Sequence, residues 1–398
     1  MRIVHINATD NRGGAAIACA RHNEAMAKAG LQSEVVTLND YQGLFRVLKS
    51  FNYRVNSRRE NRLKAVANFS LMDFGIPIYK NTKVQLPDVI FLHWICGNTL
   101  SINGVEKILK LGKPTFWYMH DMFPFTGGCH YALSCDGYTR HCNECPQITN
   151  SICKNEASRQ LGEKIKKWNG YPNLEFISPS RWEASCAITS ALCKGHKIHT
   201  VANILDTDTY KHIDIDAKRQ YGLDPKKKTI LFGATRISSP YKGANFAAEC
   251  LNMLDPNRYE GLVIGRADAD FISNLSIHVV QTGFLTEDKL IAAAYNACDT
   301  FIMTSIAESF GQVVLEAMSC GKPCVGFPTG GVVDLIRHNK SGYLTQGYDA
   351  SELKAGIEWL FSDEERYNRL SHAARRQILN ENSFAKVLEI HSELKPYL

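Results

Sequence analysis

Short apolar runs alternating with longer polar or amphipathic stretches limit the fold of this chain more than any other feature. Residues 2–7, 34–38, 89–94, 115–120 and 175–178 read as strands, and 15–29, closed by Gly30, reads as the helix joining the first two. Strand, helix and strand in that order make a βαβ unit, and repeated units build a parallel sheet covered by helices on both faces. A second series starts near Lys228. Strands at 229–234, 261–265, 300–304 and 323–327 alternate there with helices at 243–254, 287–297, 311–320 and 332–337. The expectation is α/β architecture with two doubly wound domains, since 398 residues exceed one ordinary core. The join falls in VANILDTD, residues 201–208, which gives domains 1–205 and 206–382 with a cleft between them.

Composition narrows the function class. Apolar residues at 44% and charged residues at 22% are ordinary for a globular protein and argue against disorder. The opening MRIVHINATDNRGG lacks the apolar core of a secretory signal, and no run of about 18 apolar residues follows, so the reading is cytoplasmic. The net charge of +6 is uneven: Arg46, Lys49, Arg54, Arg58, Arg59, Arg62 and Lys64 stand against Glu60 alone, interleaved with Phe45, Leu48, Phe51, Tyr53, Val55 and Leu63. Such a segment is either a solvated helix face or a surface for anionic lipid, where a lipid-linked acceptor would be met. No zinc finger or RNA-recognition signature accompanies the charge, so nucleic acid is not an expected partner.

Four loops carry chemistry. In SIAESFGQVVLEAMSCGKPCVGFPTGG, residues 305–331, Ser309, Phe310, Gly311 and Val313 fall where a loop opens a helix, whose unpaired N–H groups and dipole suit a diphosphate. Glu308 and Glu316, eight residues apart, lie about 12 Å from each other at helical rise and so suit hydroxyl groups at two places, a hexose and a ribose. In GATRISSPYKG, Arg236 and Lys242 follow the first strand of the second series, at a carboxyl edge where open sheets bind ligands, and two cations there would offset charge on a departing diphosphate. Gly13 and Gly14 follow the first strand and let a ligand approach the backbone; they do not form G-x-G-x-x-G, so hydride transfer gains nothing. In YMHDMFPFTGG, His120 ends a strand and can hydrogen-bond a sugar hydroxyl, with Asp121 orienting its imidazole or binding the acceptor.

Taken together, Glu308 and Glu316, the pair Arg236 and Lys242, the glycine loop and His120 resemble glycosyltransferase family 4, the retaining enzymes of GT-B fold. The resemblance spans nearly the whole chain, although Ala202-Asn203 stands where many relatives carry Pro-Asn. It implies two Rossmann-like domains facing across a cleft, the N-terminal one for the acceptor and the C-terminal one for a UDP- or GDP-sugar. It also implies a terminal helix, 383–398, packed back on the first domain, and no catalytic metal. Glu308 would contact the donor sugar, Glu316 the ribose, Arg236 and Lys242 the diphosphate, and His120 the sugar near the reacting centre. The activity implied is hexose transfer to a lipid-linked or oligosaccharide acceptor, on the cytoplasmic face of the inner membrane. A nucleotide-sugar 2-epimerase of the same fold and a non-catalytic binding relic are the alternatives.

The Cys-rich insertion, residues 127–153, holds Cys129, Cys135, Cys142 and Cys145, the last two as C-x2-C. Structural zinc, reduced packing cysteines and disulfides stay open as readings, with His130 and His141 as substitute ligands. Similar insertions in bacterial polysaccharide-building relatives point the resemblance toward exopolysaccharide or O-antigen assembly.

Overall fold

The computed structural model describes residues 1–398 except 11, 12, 42, 43, 214–216, 234–239, 266, 268 and 398, and only the backbone of 44 and 46. Two compact units emerge, Met1–Asn203 with Val387–Leu398, and Ile204–Lys386.

In the first unit β1 (Arg2–Ile6), β2 (Gln32–Val36), β3 (Val89–Leu92), β4 (Thr115–Tyr118), β5 (Leu174–Ser178) and β6 (Ile198–Thr200) form a parallel sheet ordered β2-β1-β3-β4-β5-β6. Every residue of β3 (VIFL) and β4 (TFWY) is buried. Helices cover both faces of a central parallel strand, so such strands read as unbroken apolar runs. The chain passes from β1 to β2 on one side and returns to β3 on the other, pairing Ile3 with Val89 and Ile6 with Leu92. That reversal puts a switch point at the carboxyl ends of β1 and β3.

The second unit repeats the plan with β7 (Lys228–Gly233), β8 (Tyr259–Ile264), β9 (Val279–Gln281), β10 (Thr300–Met303), β11 (Cys324–Gly326) and β12 (Gly342–Leu344), ordered β12-β11-β10-β7-β8-β9. Its pairs are parallel throughout, and its switch point lies between β7 and β10.

Departures from the sequence reading have local causes. Strands β6, β9 and β12 have three residues each, too short for periodicity to register. Strand β2 ends at Val36 because Thr37 caps a 3-10 turn: its Oγ1 accepts from Asn39 N (3.2 Å), and Asp40 Oδ2 accepts from Thr37 N (2.7 Å). The expected terminal helix 383–398 is not one helix. Leu205 N donates to Asn382 O (2.9 Å) and Phe384 N to Leu205 O (3.2 Å), which holds 382–384 in a bridge within the second unit. A short helix, Val387–Ile390, and a 3-10 turn, Ser392–Tyr397, follow in the first unit. Between them the buried His391 turns inward to hydrogen-bond His22 (2.8 Å) and the Glu393 side chain.

The basic segment lies in one helix, Leu44–Leu63, whose polarity is inverted. Asn52 and Asn56 face the interior and donate to the carbonyls of Gly75 (3.1 Å) and Phe74 (3.2 Å). Phe45, Val47, Leu48, Phe51 and Tyr53 are exposed, as are Arg54, Arg58 and Arg62. No described helix is long and apolar enough to cross a membrane.

Candidate active site

The second unit's switch point brings together Lys242 and Glu308, two of the residues singled out above. Lys242, in the β7 loop, pairs through Nζ with Glu308 Oε2, in the β10 loop, at 2.7 Å. Backbone contacts knit the loops together. Ile306 N donates to Tyr241 O (2.8 Å), Thr304 Oγ1 to Lys242 O (2.8 Å), Thr329 Oγ1 to Ser305 O (2.7 Å) and Gly331 N to Glu308 O (3.0 Å). Gly311 enters the helix Gln312–Ser319 at φ 105°, a left-handed conformation suited to glycine, and no side chain caps that terminus. The first-turn N–H groups, aimed by helix geometry at the loop, therefore sit beside a cation and a carboxylate.

Ser309 and Phe310 are buried, and Val313 is partly exposed on the first turn. Residues 308–311 are not helical, so the helical-rise spacing of Glu308 and Glu316 applies only from Gln312 onward. Glu316 is 6% exposed and accepts a hydrogen bond from Tyr295 Oη at 3.0 Å. Burial, then the charge of Glu316, pushes the Tyr295 hydroxyl well above its ordinary pKa, so it stays a donor. Tyr295 was missed from sequence: it stands 21 residues away on another helix, Asp288–Asn296. Arg236 lies outside the described residues.

In the first unit Gly13 stands at φ 89° ahead of the helix Gly14–Lys28, and a Cβ on either Gly13 or Gly14 would meet nothing within 4 Å. These glycines leave open space at the end of β1. His120, at the end of β4, closes a line of imidazoles that sequence reasoning did not find. Ser33 Oγ donates to Asn23 Oδ1 (2.9 Å) and lies 3.2 Å from His5 Nε2; His5 Nδ1 lies 2.9 Å from His93 Nε2, and His93 Nδ1 lies 2.9 Å from His120 Nε2. With the Ser33 hydrogen committed to Asn23, the direction of every other bond is set. His5 donates to Ser33, His93 to His5, and His120 to His93. His120 thus carries its hydrogen on Nε2 and its lone pair on Nδ1. Burial lowers the pKa of His5 to about 3 and of His120 to about 4, and lowers that of His93 as well, so the line is neutral.

Asp121 does not orient His120, contrary to expectation. Its Oδ1 accepts from Phe123 N (2.9 Å) and its Oδ2 pairs with His130 Nδ1 (2.6 Å), so the carboxylate is turned into the Cys-rich insertion. Burial alone would raise its pKa; the charge and hydrogen bond of His130, with the Phe123 N–H, outweigh that and lower it. His130 Nε2 lies 2.9 Å from Ser70 Oγ, so both its nitrogens are engaged and it is no substitute metal ligand. All thirteen cysteines are free thiols in this structure.

Residues 214–377 match the family model described as Glycosyl transferases group 1. N-acetyl-alpha-D-glucosaminyl L-malate synthase of Bacillus anthracis is 25% identical over 271 residues, covering 61% of this chain and 70% of that protein. The putative colanic acid biosynthesis glycosyl transferase WcaC of Escherichia coli (strain K12) is 24% identical over 347 residues, covering 82% of each. A D-inositol 3-phosphate glycosyltransferase of Rhodococcus opacus (strain B4) is 30% identical over 201 residues, covering 46% of this chain and 45% of its own length. The chain therefore spans under half of that relative. Among solved structures, Anabaena Alr3699/HepE in complex with UDP and glucose matches over 100% of both chains at 20% identity, with a TM-score of 0.64. That likeness shows the GT-B fold, and with the family match over residues 214–377 it supports a glycosyltransferase.

Proposed function

We propose that the protein is a retaining glycosyltransferase that moves a hexose from a nucleoside-diphosphate sugar to a lipid-linked or oligosaccharide acceptor in cell-surface polysaccharide assembly. One observation carries the reading: the 2.7 Å pair of Lys242 and Glu308 beside an uncapped helix N-terminus, with Glu316 buried four residues into that helix. Lys242, with Arg236, meets the diphosphate charge as the bond to the sugar breaks, and the helix dipole adds to it. These groups take the part a metal ion plays elsewhere. Glu308 accepts from hydroxyls of the hexose and Glu316 from the ribose. His120, its tautomer set by His93, offers Nδ1 to a sugar hydroxyl near the reacting carbon, while Gly13 and Gly14 admit ligand to the end of β1. Attack on the face the diphosphate leaves retains the anomeric configuration and calls for no protein nucleophile.

UDP is the favoured nucleotide because the Anabaena structure holds UDP and glucose, and the WcaC likeness favours polysaccharide assembly. The helix Leu44–Leu63, with its exposed aromatic and arginine side chains, supports a peripheral seat on the cytoplasmic face of an anionic membrane, where a lipid-linked acceptor is found. A thermal-shift panel of UDP, GDP and their sugar conjugates tests the core of this reading, because a ligand of the folded state raises the melting temperature. The expected result is a shift with UDP that Lys242→Met and Glu316→Ala each abolish. No shift with any nucleotide would refute it, and a product in which the nucleotide sugar is merely epimerised would favour the 2-epimerase.

A further inference from the structure

We propose that Cys129, Cys135, Cys142 and Cys145 bind one structural zinc ion, independently of the transferase reading. Residues 119–155, between β4 and the helix Glu156–Trp168, contain little regular structure: the three-residue turns Phe123–Phe125, Gly137–Thr139 and Ser151–Cys153, and single antiparallel bridges from Phe69 to Cys129 and from Ala65 to Ile148. A stretch of that length inside a compact unit needs a clamp of some other kind. All four thiols line one small cavity with Phe69, Ala132 and Tyr138, and its free volume of about 20 Å³ admits a single water-sized sphere or ion but no organic ligand.

The backbone already points a hydrogen at one of the sulfurs. Gly137 N–H donates to Cys135 Sγ (3.4 Å). Leu133, Cys142 and Glu144 all stand at left-handed φ values of 55°, 52° and 47° without being glycine. Strained conformations of this kind persist only where surroundings over-determine them.

Charge balance supplies a further argument. Lys164 is fully buried, and its Nζ donates to the carbonyls of Phe123 (2.7 Å) and Thr126 (3.0 Å), with no carboxylate pairing with it among the described residues. Its electrostatic neighbours are Cys96, Cys142, Cys129 and the buried carboxylate of Asp121. Zinc held by four thiolates carries a net charge of about −2, which a buried ammonium partly offsets.

Among the described residues, His5, Cys19 and His93 alone have three ligand atoms within 4.8 Å of one another, so no three of the four sulfurs in the insertion stand that close and the tetrahedral arrangement is not preformed. Tetrahedral bonds of about 2.3 Å require sulfurs about 3.8 Å apart, so metal binding requires the four side chains to rotate inward. Four protein ligands leave no open position, which makes the site structural.

The test is metal analysis and thiol titration of the full-length protein from zinc-supplemented medium. The expected result is about one zinc per chain, released by a mercurial as about four thiols are titrated, retained in Cys186→Ser and lost in Cys142→Ser and Cys145→Ser. Cobalt exchange of the unmutated protein keeps the test valid if those variants misfold, because four thiolates give the absorption of tetrahedral cobalt. Thirteen freely titratable thiols with no bound metal would overturn the proposal, as would a thiol count four short before reduction, or iron in place of zinc.

Discussion

Replacing Gly243 with alanine tests how firmly the two loops at the second switch point are joined. Gly243 stands at φ 63°, and a Cβ there would lie 2.0 Å from the carbonyl oxygen of Thr304 and 2.9 Å from its carbon. The left-handed backbone alone costs an alanine about 1 kcal/mol. A carbon that close to a carbonyl must also push the loops apart, straining the bonds from Ile306 N to Tyr241 O and from Thr304 Oγ1 to Lys242 O, each worth roughly 1 kcal/mol. The total is about 3–4 kcal/mol. Gly222 provides the comparison, since it has φ 70° but nothing within 4 Å of its would-be Cβ, so Gly222→Ala should cost only about 1 kcal/mol. In calorimetry of the full-length protein these losses correspond to falls of roughly 6–16 °C for Gly243→Ala and 2–4 °C for Gly222→Ala. The first variant should also lose nucleotide binding, because the displaced loop carries Lys242. Equal falls for both variants would refute the claim that residues 241–243 are fastened to 304–306.

Tyr295→Phe should weaken UDP binding a few-fold by removing a donor from Glu316, which isothermal titration would measure; unchanged affinity would mean that Tyr295 does not position the carboxylate. Nitrogen-15 shifts of His120 should report hydrogen on Nε2, and hydrogen on Nδ1 would break the derivation through Ser33 and His93. The buried histidines set an acid limit. His5 and His120 have folded pKa values of about 3 and about 4, below the unfolded 6.5, so the folded state binds fewer protons in that window. Stability is therefore full above pH 6.5 and falls as pH drops toward 4, by up to about 1.4 kcal/mol per unit for each histidine that stays neutral. Urea melts at pH 7.5 and 5.5 should show the loss, and identical midpoints would contradict it.

The parallel architecture was legible because β3, β4 and β10 are buried at every position, which leaves the sequence no freedom to be polar there. Lys242 and Glu308 were legible as loop residues at strand ends, but their contact was not, since it depends on β7 and β10 lying side by side. The imidazole line was hidden for the same reason. His5, His93 and His120 come from β1 and from the ends of β3 and β4, and only the sheet order brings them into one row. The reading of Asp121 as a partner of His120 rested on adjacency in sequence. A strand end sends neighbouring side chains to opposite sides, and His130 was the partner on the other side.

The return of Val387–Leu398 to the first unit makes the second unit a topological insertion, with the polypeptide crossing between them at 203–204 and again at 386–387. During synthesis the first unit cannot be completed until all of Ile204–Lys386 has been made, because His391, which seals His22 and is fully buried, arrives only afterwards. The nascent N-terminal sheet must wait, one flank open, through the translation of its neighbour. Trimming the chain before residue 387 is accordingly not a surface edit. It removes part of the interior of a unit whose other residues lie more than 180 positions upstream.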